Sequence, residues 1–162
     1  MPSPSETELK RLGDAHAATL DDDARQYWGE NGDRIARNLA DVGTLMQQQD
    51  IKRALDIGPS FQTVIFRQAF PDVVLETMGW EDHRYRTGSD TVHHALDLNQ
   101  TAGPVPCPLP APVDLILFLE VIEHLYTSPI HVLRYLHRCL APDGVMMITT
   151  PNAVSLRNRI WP

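Results

Sequence analysis

Cysteine is scarce in this chain. Only Cys107 and Cys139 carry a thiol among 162 residues, with neither the spacing of a metal motif nor the density of a disulfide-stapled domain, so a reducing cytosol is the expected compartment. Long apolar runs are missing as well. No stretch approaches the ~20 consecutive apolar residues of a membrane helix, and the opening "MPSPSETELKRLG" lacks the continuous apolar segment of a signal peptide. A soluble cytoplasmic protein with no membrane partner is expected. Basic residues are outnumbered, 14 Lys and Arg against 21 Asp and Glu, and the resulting charge of −7 argues against affinity built on phosphate neutralisation. A small molecule is therefore the expected partner rather than nucleic acid. No internal repeat or low-complexity tract is present. The 43% hydrophobic and 22% charged fractions match ordinary globular usage and suffice for one domain with its own core.

What is present changes character near residue 50. Before it, Leu9, Leu12 and Ala15 recur at helical spacing, and after a "GENGD" break Ile35, Leu39, Val42 and Met46 follow at steps of four, three and four. Two amphipathic helices forming a lid over residues 1–50 are expected. After residue 50, short β-like runs alternate with helical stretches, the pattern of a mostly parallel sheet covered on both faces. The strand candidates are "RALDI" (53–57), "VVLETM" (73–78), "VHHALDL" (92–98), "VDLILFL" (113–119) and "VMMITT" (145–150). One helix is expected from Gln62 to Ala69. Another, "SPIHVLRYLHRCLAPDG" (128–144), has Ser128 as N-cap, Pro129 at its first position, Gly144 past its end and a core stripe of Ile130, Leu133, Leu136 and Leu140. Prolines at 104, 106, 108, 110 and 112 remove every second amide donor, so that stretch is an extended loop and not a ladder strand.

The chemistry-bearing residues gather at predicted strand ends. In "LDIGPSFQT" (55–63) an apolar strand ends in an acid and a glycine, where a nucleotide-like cofactor meets a parallel sheet. The missing side chain of Gly58 would let backbone approach such a ligand; the plain alternative is a strand-to-helix turn glycine. An acid for ribose hydroxyls belongs some 20–25 residues further on, which selects Glu81, with Asp82 as its neighbour and Glu76 inside the strand. Glu120, Glu123 and His124 follow the strongest strand at offsets that share one face of a helix starting there. His124 as general base toward an acceptor hydroxyl, with Glu120 lining a cofactor pocket, is one reading of that trio. Bonds that stabilise the strand-to-helix joint are another. His93 and His94 point to opposite faces of a strand and make no metal site by themselves. Tyr27, Trp28 and Trp80 serve either a ligand or the core. Arg157 and Arg159 either meet an anionic acceptor or decorate a last helix.

Taken in order, "LDIG", "LDLN", "VDLILFLEVIEHL" and "LAPDGVMMITTPN" resemble class I S-adenosylmethionine (SAM)-dependent methyltransferases over roughly residues 50–160. The "EVIEHL" and "TPN" pair resembles the branch of ubiquinone-type and other small-molecule methyltransferases. The resemblance implies a Rossmann-like, doubly wound α/β sheet of order 3-2-1-4-5 over residues 51–162, following the N-terminal helices. It implies SAM as cofactor and methyl transfer to a small-molecule acceptor, with O-methylation preferred. The implied donor pocket comprises Asp56, Gly58, Ser60, Glu81, Asp97, Leu98 and Glu120, with His124 catalytic. Asp56 would orient the loop and reach the donor's amino group, while Asp97 and the Leu98 amide would read adenine. The family pattern has further glycines where this chain has Ser60 and Gln62. Whether the long Gln62 side chain fills the donor's hollow is thus a question for the fold.

Two other functions stay open. One is a non-catalytic methyltransferase-like module used for binding or dimerisation. The other is a Mg-dependent RNA 2′-O-methyltransferase, since those enzymes have a similar E-x-x-E-H arrangement holding a divalent ion; the further histidine they use is not identifiable, and the metal ligands stay unassigned. A fold of this type normally continues past its fifth strand with a helix and an antiparallel strand pair. A fragment of a longer enzyme is the expectation, the alternative being a minimal domain whose exposed fifth strand is covered by its own helices or by a second copy.

Overall fold

The computed structural model describes residues 3–80 and 92–151. Helices come first, as the apolar spacing predicts, but the break between them lies elsewhere. Helix α1 (Glu6–Ala17) starts on a reciprocal cap in which the Ser5 hydroxyl accepts from the Glu8 amide at 3.3 Å and the Glu8 carboxylate accepts from the Ser5 amide at 2.8 Å. Helix α2 (Asp22–Gln48) is capped by Asp21 and runs straight through "GENGD". The expected break is therefore wrong, and Trp28 explains it. A Cβ on Gly32 or Gly13 would stand 2.7 Å or 2.0 Å from its indole. The ring is 3% exposed, stacks on Phe61 at 5.3 Å and donates to Asp14 at 2.7 Å. The two glycines form the slot for that ring, and the packing outweighs the ~1 kcal/mol that a glycine costs a helix.

Five parallel strands follow: β1 (Arg53–Ile57), β2 (Val74–Gly79), β3 (His93–Ala95), β4 (Val113–Leu119) and β5 (Leu140–Thr149). They form one sheet of order β3-β2-β1-β4-β5. This is the expected doubly wound Rossmann-like arrangement. Alternation along β4 explains the burial of both faces. Leu115, Leu117 and Leu119 join the core under α1, α2 and α3 (Phe61–Ala69), whereas Ile116 and Phe118 join the opposite core under α4 (Pro129–His137). Each such side chain gains roughly 1.5–3 kcal/mol by leaving water, so a polar residue in β4 would unbalance the whole layer.

The second half departs from expectation in two places. β3 keeps only three of the seven expected residues, because Asp97 caps a 3₁₀ turn over Leu98–Ala102. Helix α4 ends at His137, and Leu140 already pairs with Val113. Val145 then pairs with Leu115, so Ala141–Gly144 bulge out of the ladder and Gly144 closes a bulge, not a helix. The α4 core stripe is accordingly Val132, Tyr135 and Leu136, while Ile130 is 50% exposed. The proline segment is extended, as its missing donors require. Val105, Cys107 and Leu109 turn inward against the α4 core and the prolines between them stay exposed.

Candidate functional site

Below the carboxyl ends of β1, β2 and β3 lies a cavity of about 320 Å³, within the size range of small-molecule sites. Ile57 and Gly58 contribute from β1, Gly79 and Trp80 from β2, Leu96 to Asn99 from beyond β3, and Val121, His124, Leu125 and Tyr126 from beyond β4. Strand order reverses between β1 and β4, so Gly58 and Val121 face each other at the switch point where open α/β sheets bind ligands. Gly58 takes φ +69°, and a Cβ there would meet the Val121 side chain at 3.0 Å. Only glycine suits both constraints. Its amide is fixed by the Met78 carbonyl at 2.9 Å.

Asp97 and Leu98 line the opposite wall. The Asp97 carboxylate accepts from the Asn99 amide and side chain through one oxygen, both at 2.9 Å. As the first residue of its 3₁₀ turn, Leu98 has an amide with no acceptor inside the turn. Asn99 was not singled out from the sequence, yet it joins two walls: its Oδ1 accepts from the Tyr126 amide at 2.7 Å and the Thr127 amide at 3.1 Å. A side-chain bond across 27 residues leaves no local signature; the only hint was its place in "LDLN". At the mouth, Trp80 is 66% and Tyr126 92% exposed.

Asp56 stands on the other face of β1, fully buried under α3. Gln62 donates to it at 3.1 Å, and the Thr63 hydroxyl donates as well while accepting from the Ser60 amide. Burial raises the Asp56 carboxyl to about 6, with both hydrogen bonds opposing that rise. Gln62 is thus turned away from the cavity, which answers the question its length raised. Asp56 and Ser60 do not line the cavity; they fix the turn between β1 and α3 from behind. Trp28 serves the core. Glu76, the in-strand alternative, is 4% exposed and held by Arg53 and by His94 at 2.7 Å.

The E-x-x-E-H trio does not form a helix face. Glu120 takes φ +58°, and only a single 3₁₀ turn, Ile122–His124, follows. Glu120 is drawn away from the other two by its pair with Arg34 of α2, while Glu123 accepts from Thr150 at 3.4 Å and lies 3.9 Å from His124, which lines the cavity mouth with its side chain 77% exposed. Among the described residues no group of three His, Cys, Asp or Glu is arranged to hold a metal ion. Glu81, Asp82, Arg157 and Arg159 lie outside the described residues. Among the described residues no helix is long and apolar enough to cross a membrane.

A family model described as a methyltransferase domain matches residues 23–161. No curated protein matches the chain. Among solved structures, the plantazolicin methyltransferase BpumL, in complex with a pentazolic desmethylPZN analog and S-adenosylhomocysteine (SAH), has a TM-score of 0.57 at 16% identity, over 91% of this chain and 61% of that one. The SAM-bound amino pentose methyltransferase CalS10 of Micromonospora echinaspora, involved in calicheamicin biosynthesis, has a TM-score of 0.50 at 19% identity, over 78% of this chain and 50% of that one. Identities this low show the shared fold alone. The chain spans about half to three fifths of the length of these structures.

Proposed function

The chain belongs to the methyltransferase-domain family, and we propose that it binds SAM in the cavity between Gly58 and Asp97 and methylates a small-molecule or peptide acceptor. One observation carries the proposal. Gly58, with no room for a side chain, and the Asp97–Leu98 pair face a single cavity at the switch point of the sheet. The donor set suits the ligand. Backbone at Gly58 would hold the methionine part, while Asp97 and the Leu98 amide would meet the amine and ring nitrogen of adenine. Glu81 keeps its assignment to the ribose hydroxyls. When bound, the sulfonium supplies the methyl group.

The chain's own task is alignment and exclusion of water, which account for most of the advantage in an in-line displacement. His124, at the cavity mouth, is assigned the acceptor's proton, and this favours an acceptor hydroxyl over other nucleophiles. The helices before residue 50 are assigned the part of a cover, on the support of the Arg34–Glu120 pair and the 3.3 Å bond from Asn38 to Thr149. Thermal unfolding with increasing SAH tests the reading. A midpoint that climbs with ligand concentration supports a donor pocket; a midpoint indifferent to SAH points instead to a binding module without a cofactor.

A further inference from the structure

We propose that Cys107 and Cys139 form a reversible intramolecular disulfide. Their sulfurs lie 2.7 Å apart, less than an ångström from bonding distance. Each is held from its own side. Cys107 sits on the inward edge of the proline segment, where Pro106 and Pro108 keep the backbone extended. That segment is pinned to α4 and the turn after it: the Tyr135 hydroxyl donates to the Pro106 carbonyl at 3.3 Å and Arg138 donates to the Val105 carbonyl at 3.4 Å. Cys139 is fully buried just past α4, and its amide is fixed by the Leu136 carbonyl at 2.9 Å.

The two thiols differ in access, which sets the order of events. Cys139 is enclosed, and burial together with its contact to Cys107 pushes its thiol up. Cys107 is half-exposed and meets an oxidant first. With glutathione disulfide as the oxidant, the Cys107 thiolate attacks one sulfur and releases one glutathione thiolate. The Cys139 sulfur then attacks Cys107 of the mixed disulfide, the second glutathione leaves, and the Cys139 proton passes to it. Two protein thiols are oxidised and one glutathione disulfide is reduced to two thiols.

The bond closes a loop between positions 32 apart. That loop contains β4, the turn bearing Val121 and His124, and α4. Oxidation therefore fastens one wall of the cavity without moving it. Two consequences follow: thermal unfolding shifts upward by on the order of 10 °C, and SAH affinity changes less than twofold.

The test treats the folded chain with glutathione disulfide or with dithiothreitol, alkylates it, and reads intact mass and linked peptides. The expected product is a monomer without alkylatable thiols, carrying a Cys107–Cys139 cross-link and the raised midpoint. Cys139→Ala should stop at a glutathione adduct on Cys107, and half-exposed Cys107→Ser keeps the fold while leaving Cys139 reduced. Two alkylated thiols, a lasting glutathione adduct or a disulfide-linked dimer in the unsubstituted chain would overturn the proposal.

Discussion

Arg34 of α2 forms a salt bridge with Glu120, the residue following β4 and, among the described residues, the one non-glycine position with positive φ. Their positions are 86 residues apart. The contact ties the N-terminal helices to the carboxyl end of the sheet at the point where the backbone turns from β4 toward the cavity. A left-handed residue without glycine's freedom costs roughly 1–2 kcal/mol, so the surroundings must hold it in place.

Two substitutions separate the ion pair from the backbone. Glu120→Ala loses the pair and keeps the strained conformation, whereas Glu120→Gly loses the pair and relieves the strain. Urea unfolding should find the glycine variant more stable than the alanine variant by about 1 kcal/mol. Equal stabilities would mean that Glu120 does not carry that strain.

Gly58→Ala puts a methyl group against Val121 at a φ of +69°. The expected effect is a loss of roughly 1–2 kcal/mol in stability with SAH binding weakened about tenfold or more. Calorimetric titration of the folded variant checks this, and undiminished affinity would remove Gly58 from the donor site.

Gly13→Ala intrudes on the Trp28 ring more deeply than Gly32→Ala, at 2.0 Å against 2.7 Å. Overpacking of this kind costs roughly 1–3 kcal/mol. Chemical denaturation should therefore rank Gly13→Ala as the less stable variant, with the loss of Trp28 fluorescence tracking the same transition.

Asp56 predicts a pH dependence. Burial raises its folded value to about 6 from the ordinary 3.8. A raised folded value means that the folded chain keeps the proton longer, so the associated stability is complete below pH ~4 and lost as pH rises through ~6. Relative to Asp56→Asn, the unsubstituted chain should lose on the order of 2–3 kcal/mol across that window and nothing further above it. Urea melts of both proteins at steps of pH provide the measurement; a difference growing in the opposite direction contradicts the assignment.

How far these features could be read in advance depended on how local their causes are. The bounds of β1 and β4 were legible because unbroken apolar runs end in punctuation, whereas the strand order came with the family resemblance. Gly58 was legible as the glycine that follows β1, whereas Asp97, inside an expected strand, was singled out by the resemblance. The continuity of α2 through "GENGD" was hidden because Gly32 answers to the Trp28 ring, which Gly13 flanks from α1. The end of α4 was hidden because β-pairing of Leu140 with Val113 overrode a helical apolar spacing. The supposed helix face of Glu120, Glu123 and His124 failed at one backbone angle, held in part by an arginine 86 residues away. Asp56 carried an expected role toward the ligand and Gln62 an expected obstruction, but strand alternation turned Asp56 under α3, where Gln62 donates to it.

The most direct measurement is titration of SAH by calorimetry into the unsubstituted chain, Asp97→Ala and His124→Ala. Saturable one-to-one binding should appear, weaken at least about tenfold in Asp97→Ala and stay unchanged in His124→Ala, which belongs to the acceptor side. Folded protein that gives no binding heat at any temperature tried, or Asp97→Ala that binds as tightly as the unsubstituted chain, contradicts a donor pocket between Gly58 and Asp97.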